Sequence, residues 1–314
     1  LRNRRQRQMC IRDRDTGDPF PKSCLSINAY LGAPGLVAAL DEGADIIITG
    51  RCVDSALVLA PLMYEFGWNE SDYNLLASGS LAGHIIECGA QCTGGNFTDW
   101  KDVNGFEDMG FPIIEVERNG DFIVSKPKGT GGMVTFGTVA EQFLYEIGNP
   151  AEYILPDVVC DFTKVTINDL GENRVHVSGA SGSPPTDQYK VSATFMDGYR
   201  VNGTLVIGGR DSDLKGEIIA NAIIKKVNKI LKEKGLDPLN KISYDLIGTD
   251  SIYGKNHSKR ESKEIVLRLA SKHQQKKALI VLSQELAQAV TGMPSGVINY
   301  LGGRPPVSPS IELF

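Results

Sequence analysis

Apolar runs and stretches of helical spacing alternate in the first part of the chain. Ile46-Ile47-Ile48 is a β-branched run without a polar residue inside it, which is typical of a strand covered on both faces. Residues 34–40 before it and 53–66 after it have the spacing of amphipathic helices that could cover it. We therefore predict a buried strand at 45–49 within an α/β fold, with a mostly parallel sheet and covering helices plus a β-rich section.

The pattern changes near Pro156, where short apolar runs are separated by glycine, proline and asparagine and predict a β-rich section. Before it, Asn119-Gly120 lies between two short apolar runs and predicts a hairpin. The helices predicted by periodicity are 75–91, 138–147, 211–235, 260–272 and 276–290. The predicted domains are a separate segment at 1–14, an α/β part at 15–155, and a β-rich section followed by an α/β part at 156–314.

Charge and composition exclude several classes of function. The 314 residues carry a formal net charge of -5, and six arginines fall within residues 1–14. That segment resembles a translated sequencing-library adaptor, so we expect it to be non-native and to replace the true start. The remaining acidic body argues against nucleic-acid binding. The sequence shows no apolar run of membrane-spanning length, and six cysteines in so long a chain fit a reducing compartment, so a cytoplasmic protein is predicted.

The first candidate site follows the predicted strand, at Thr49-Gly50-Arg51-Cys52-Val53-Asp54. In open α/β sheets, ligands bind at the carboxyl ends of the strands. Arg51 offers a planar fork to a carboxylate or phosphate, and Asp54 could orient that fork. The alternative is that Asp54 only caps a helix while Arg51 extends into solvent.

A second candidate lies on a predicted helix, where His84 and Glu87 are three residues apart and share a face. The pair suits proton transfer, with a buried structural histidine as the alternative. Cys88 and Cys92 continue the same face, but one helix rarely supplies a whole zinc site. No metal site is predicted.

Two loops complete the candidates. Gly129, Thr130, Gly131 and Gly132 precede a predicted helix, and their backbone amides could hold an anion, although a flexible loop with an ordinary cap explains them as well. Asn96 follows Gly94-Gly95 in another loop. Clustering of Arg51, Asp54, His84 and Asn96 around one pocket would favour an enzyme, whereas their dispersal beside a large apolar surface would favour a subunit that binds partner proteins.

These residues resemble the acyclic terpene utilisation (AtuA) family from about Ser26 to Phe314. The resemblance is densest in a few blocks that occur in the family's order. These blocks are 44–54, 83–91, Thr93 to Trp100, Gly110-Phe111-Pro112, Lys126-Pro127 with 129–132, Leu155 to Val158, and Tyr189 to Thr194.

The resemblance implies a role beside the acyl-CoA enzymes of citronellol and geraniol degradation, but it names no catalytic residues and no cofactor. We therefore expect an enzyme that acts on an isoprenoid acid or acyl-CoA, with Arg51 and the loop at 129–132 holding anionic groups and His84 with Glu87 moving protons. The alternative is a noncatalytic binding or assembly subunit for acyl-CoA carboxylase or dehydrogenase partners. A homo-oligomer is compatible with either role.

Overall fold

The computed structural model describes residues 19–249, 251, 254, 262–298 and 303–314. The chain forms two compact units, one of Asn28–Ser192 and one of Ala193–Phe314 with the residues up to Ile27. Each unit has its own apolar core. The change of pattern at Pro156 lies inside the first unit, and the segment predicted at 1–14 lies outside the described residues.

Helices and strands are interspersed along the whole described chain. The helices are α1 (Pro34–Asp41), α2 (Ala56–Phe66), α3 (Tyr73–Ile86), α4 (Phe136–Leu144), α5 (Ser212–Glu233), α6 (Lys276–Ala287) and α7 (Ala289–Gly292). The strands are β1 (Ser26–Ala29), β2 (Ile113–Val116), β3 (Phe122–Ser125), β4 (Tyr153–Ile154), β5 (Val159–Asp161), β6 (Thr166–Gly171), β7 (Arg174–Ser178), β8 (Ser181–Ser183), β9 (Val191–Gly208), β10 (Lys241–Ile247), β11 (Glu264–His273), β12 (Val297–Ile298) and β13 (Ser308–Leu313). Short 3-10 helices lie at Gly89–Thr93, Trp100–Asp102 and Phe106–Asp108.

The first unit is organised around α3, which is buried from Leu76 to Ile85. A helix that is apolar on all sides needs neighbours all round, and α3 packs against α2, α4 and the strands β2, β5 and β8. The two sheets of this unit have the orders β2-β3-β7-β6 and β4-β5-β8. The hairpin predicted at Asn119-Gly120 is confirmed, because β2 and β3 pair across it.

The second unit is a six-stranded sheet with helices against it. Its strand order is β1-β9-β11-β10, and β12 and β13 also pair with β9. Alternate residues of the central strands, such as Leu205 and Leu267, join the apolar core with Ile219 and Ile223 of α5. This period of two is the pattern of a sheet with one covered face. Among the described residues, no helix combines the length and the apolar character needed to cross a bilayer.

The predicted mostly parallel sheet is wrong, because all three sheets are built from antiparallel pairs. In the described part of the chain, isolated parallel bridges join Leu31 to Cys52 and Met109 to Gly131. Parallel strands need long crossover connections, usually helical. Here β2 and β3, and likewise β6 and β7, follow each other through short turns, which dictate antiparallel pairing.

The strand predicted at 45–49 is also wrong. These residues belong to no strand, and the side chains of Ile46 and Ile48 are 84% and 94% exposed. A β-branched run favours extended backbone, but a strand forms only where a partner offers hydrogen bonds. The parallel bridge that Cys52 makes with Leu31 comes after this run.

Replacing both Ile46 and Ile48 by serine tests this placement. Because both side chains are exposed, we expect the free energy of unfolding to change by less than about 0.5 kcal/mol per substitution. The matched control is Leu81→Ser in α3, where the side chain is fully buried and the loss should be about 3 kcal/mol or more. Urea titration followed by circular dichroism measures all three proteins. A loss of several kcal/mol in the isoleucine variant would show that the run is buried after all.

Local sequence patterns predict several of the remaining elements correctly and one of them wrongly. Gly67 ends α2 in the left-handed conformation, as the sequence predicts for a helix end, and α5 and α6 occupy the predicted regions. The helix predicted at 260–272 is wrong, because β11 occupies Glu264–His273. Its buried positions alternate with more exposed ones, which is the period of a strand.

Candidate functional site

His84 lies in the last turn of α3, where this helix crosses the start of α2. The crossing is very close at Gly83, since a Cβ atom there would lie 2.6 Å from the Cα of Ser55. Only glycine leaves room for that approach. The crossing therefore brings the end of α3 next to Ser55, the residue after Asp54.

His84 and Glu87 form a hydrogen-bonded pair. The Nδ1 atom of His84 lies 2.9 Å from Oε1 of Glu87, and the two side chains are 2% and 17% exposed. A carboxylate accepts hydrogen bonds only, so Nδ1 carries the proton in this pair, and in the neutral form of the ring the lone pair lies on Nε2. Nε2 is buried, and no group of the described residues donates a hydrogen bond to it. In the neutral form of His84, the bond to Glu87 thus fixes the lone pair on Nε2, which is buried.

Aromatic and acidic side chains surround this pair. The ring of Tyr153 lies 6.3 Å from the imidazole, centroid to centroid, and it packs against Phe162 at 5.7 Å. Burial raises the pKa of Tyr153 to about 12. Nearby groups act in the same direction: Glu87, Cys160, Glu146 and Asp54. Tyr153 therefore keeps its proton at neutral pH and can act as a hydrogen-bond donor.

Cys88 belongs to the same surroundings. Burial raises the pKa of its thiol, and the charges of Glu87, Glu146 and Asp54 raise it further. The thiol thus stays protonated at neutral pH, which disfavours a role as nucleophile or metal ligand. Two groups beside His84, the Cys88 thiol and the Tyr153 phenol, therefore have their pKa raised by the same three carboxylates, those of Asp54, Glu87 and Glu146. We call His84, Glu87, Cys88, Tyr153 and these flanking carboxylates the His84 cluster.

Gln142 of α4 fixes the backbone beside the imidazole. Its side chain is fully buried, and its Nε2 donates a hydrogen bond of 2.8 Å to the backbone oxygen of His84. That oxygen lies near the end of α3, where carbonyl groups lack partners within the helix. Gln142 thus holds the last turn of α3 against α4.

Arg51 lies outside the His84 cluster. Its guanidinium lies 5.3 Å above the centre of the Tyr30 ring, within the range of cation–π contacts. The backbone around it is held by two hydrogen bonds, from the amide of Leu31 to the oxygen of Arg51 and from the amide of Val53 to the oxygen of Leu31. Arg51 is exposed, three residues before Asp54 on the same loop.

The loop from Gly129 to Gly132, which we call the glycine loop, makes hydrogen bonds with the backbone of nearby segments. The amide of Gly131 donates to the oxygen of Asp108 at 2.7 Å, and that of Gly132 donates to the oxygen of Asn104 at 2.8 Å. Thr130 donates its hydroxyl to the oxygen of Pro127. The sequence-based prediction is that the amides of this loop bind an anion. Because these hydrogen bonds occupy the amides of Gly131 and Gly132, we leave Gly129 to Gly132 out of the proposed site. The helix that follows begins after Thr135, which caps it together with Thr138.

Asn96 adopts a left-handed backbone conformation with φ 58° in the loop that follows a 3-10 helix. Cys92 lies in that 3-10 helix, and α3 ends at Ile86, so the shared helical face that the sequence predicts for His84 and Cys92 does not form. Burial raises the pKa of Cys92 to about 12. Over the described ranges, no three histidine, cysteine or acidic side chains are grouped as a metal ion would require.

The structure pairs His84 with Glu87 and places Ser55, the neighbour of Asp54, at the crossing beside them. The head group of Arg51 and the amides of Gly131 and Gly132 have other partners. Sequence reasoning missed Tyr153, Gln142 and Glu146. A signal for Gln142 exists, because a polar residue occupies the apolar face of the helix that contains Val139 and Phe143. Tyr153 and Glu146 belong to no recognisable motif.

Comparison with known proteins identifies the family. The model of the acyclic terpene utilisation family protein AtuA matches residues 2–314. No curated protein and no solved structure matches the chain. The family match extends over nearly the whole sequence and confirms the resemblance that the motifs indicate. The chain therefore belongs to the acyclic terpene utilisation (AtuA) family.

Proposed function

We propose that the protein is an enzyme of acyclic terpene utilisation that moves a proton to or from an isoprenoid acid or its acyl-CoA ester. The family match supports the pathway. The observation that carries the proposed chemistry is Nε2 of His84, which is buried and has no hydrogen-bond partner among the described residues, while the other ring nitrogen is hydrogen-bonded to Glu87.

A buried polar atom without a partner costs about 1–3 kcal/mol. A histidine that served only to fill the core would have no need of this arrangement, since an apolar side chain would avoid the cost. A base requires it, because the lone pair must be free to take a proton from the substrate. The Glu87 carboxylate would then stabilise the imidazolium that forms.

The neighbours of His84 suit a carbon acid next to a carbonyl group. As a proton leaves such a carbon, negative charge develops on the carbonyl oxygen, and a positioned donor stabilises it. Tyr153, which stays protonated at neutral pH, is the group that we assign to this role. The rings of Phe162 and Phe143 pack edge to face at 6.1 Å, centroid to centroid, so the surroundings of Tyr153 are apolar on this side.

Hydrogen exchange tests the proposal without knowledge of the net reaction. Geranyl-CoA, citronellyl-CoA and the free acids are incubated with the protein in D₂O, and mass spectrometry measures the deuterium incorporated at carbon. We expect exchange with the wild type and a loss of roughly 10²- to 10⁴-fold in His84→Asn, the size of a general-base contribution.

His176→Asn is the matched control. His176 belongs to the same unit and also faces a carboxylate, with its Nε2 4.0 Å from Oδ2 of Asp121, but its side chain is 31% exposed. This variant should exchange at the wild-type rate. Exchange that is equal in all three proteins, or absent from the wild type, would reject the proposed chemistry. Absence would favour the noncatalytic subunit instead.

A further inference from the structure

A pair of cations shares one aromatic ring in the first unit. Beside the guanidinium of Arg51, the Nζ atom of Lys190 lies 5.5 Å from the centre of the Tyr30 ring. Both cationic side chains are exposed. We call Tyr30, Arg51 and Lys190 the Tyr30 cluster.

The two cations are unpaired. Within the described part of the chain, neither head group has a carboxylate oxygen within 4.0 Å or donates a hydrogen bond. Lysine and arginine each gain from contact with an aromatic face, but two like charges beside one ring repel each other. An anion bound between them would remove that repulsion and occupy the free N–H donors.

The backbone holds the three side chains together. The amide of Tyr30 donates to the oxygen of Lys190 at 3.0 Å, and the amide of Leu31 donates to the oxygen of Arg51 at 3.2 Å. Three segments that lie far apart in sequence are therefore fixed side by side. Since this order does not depend on a ligand, less conformational entropy is lost when an anion binds.

The His84 cluster provides an independent argument. Its flanking carboxylates, from Asp54, Glu87 and Glu146, repel an anionic group. If His84 acts on an acid or a phosphate-bearing ester, as the proposed function holds, the charged end must bind elsewhere. Arg51 lies on the loop that continues to Asp54, so residues 51–54 connect the Tyr30 cluster to a flanking carboxylate of the His84 cluster.

We propose that the Tyr30 cluster binds the anionic group, phosphate or carboxylate, of the substrate, with Arg51 and Lys190 as the charged partners. The choice of substrate rests on the proposed function, but binding can be measured without turnover. Isothermal titration with coenzyme A and, separately, with geranic acid distinguishes the phosphate source from the carboxylate source.

The variants are Arg51→Gln, Lys190→Gln and the double substitution. Each single change should weaken binding about tenfold, and the double change more than either, because each removes a charged partner of the anion. Lys101→Gln is the matched control, since Lys101 lies 5.8 Å from the centre of the Trp100 ring and no second cation of the described residues contacts that ring. Its affinity should equal that of the wild type.

Each outcome decides the matter. If only coenzyme A binds, and its affinity depends on Arg51 and Lys190, the site is a phosphate site. If geranic acid binds with the same dependence, the site is a carboxylate site. The inference is overturned if the wild type binds neither compound, if the double variant binds as tightly as the wild type, or if Lys101→Gln weakens binding equally. Binding that depends on Arg51 and Lys190, without any deuterium exchange at carbon, would support this anion site. The same result would reject the proposed function.

Discussion

Glu87→Gln is expected to lower the rate of deuterium exchange by roughly 10²- to 10⁴-fold while leaving substrate affinity nearly unchanged. Glutamine has the size of glutamate, but its amide can donate to Nδ1 of His84 as well as accept from it. When it donates, the ring proton moves to Nε2 and the basic lone pair faces the wrong way. The carboxylate that would stabilise the imidazolium is lost at the same time.

The ring tautomer gives a readout that a merely structural role would not move. The ¹⁵N chemical shifts of the imidazole should report a proton on Nδ1 in the wild type and a mixture of tautomers in Glu87→Gln. Glu146→Gln is the control, because Glu146 also acts on Tyr153 and Cys88 but has no hydrogen bond with the imidazole. Normal exchange by Glu87→Gln, or an equal loss in the control, would remove Glu87 from the mechanism.

The His84–Glu87 pair could be predicted because its geometry is local. Residues three apart lie on the same face of a helix, so the bond follows once the helix over Tyr73–Ile86 is recognised. The Tyr30 cluster is the opposite case. Tyr30 and Lys190 are joined by a backbone hydrogen bond over a long separation in sequence, and no short pattern in either segment identifies the other.

The helices and the sheets of the fold also differ in how far the sequence predicts them. Helix α5 was predictable because its apolar residues repeat with the helical period. The sheet was not, because whether strands pair in parallel or antiparallel depends on partners that the local pattern does not name. The run at Ile46 to Ile48 shows the limit clearly, since its residue types favour a strand but it forms none, and the side chains of Ile46 and Ile48 are exposed.

For Gly83→Ala, the expected result is a net loss in the free energy of unfolding, because overpacking a core costs about 1–3 kcal/mol. The new methyl group would lie 2.6 Å from the Cα of Ser55 and 2.8 Å from its backbone oxygen. Backbone atoms cannot move aside as a flexible side chain can, so α3 must shift relative to α2. The better helix propensity of alanine, about 1 kcal/mol, offsets only part of this cost.

Gly35→Ala separates the two effects, because Gly35 lies in α1 with no heavy atom within 4 Å of the position of its missing Cβ. That variant should keep or increase the stability of the protein, as measured by the same urea titration. Gly83→Ala should also slow deuterium exchange, since a shift of about 1 Å in a catalytic group costs about 10²-fold in rate. If the two alanine variants are equally stable, the close crossing at Ser55 does not exist, and with it goes the geometric reason for placing Asp54 beside His84.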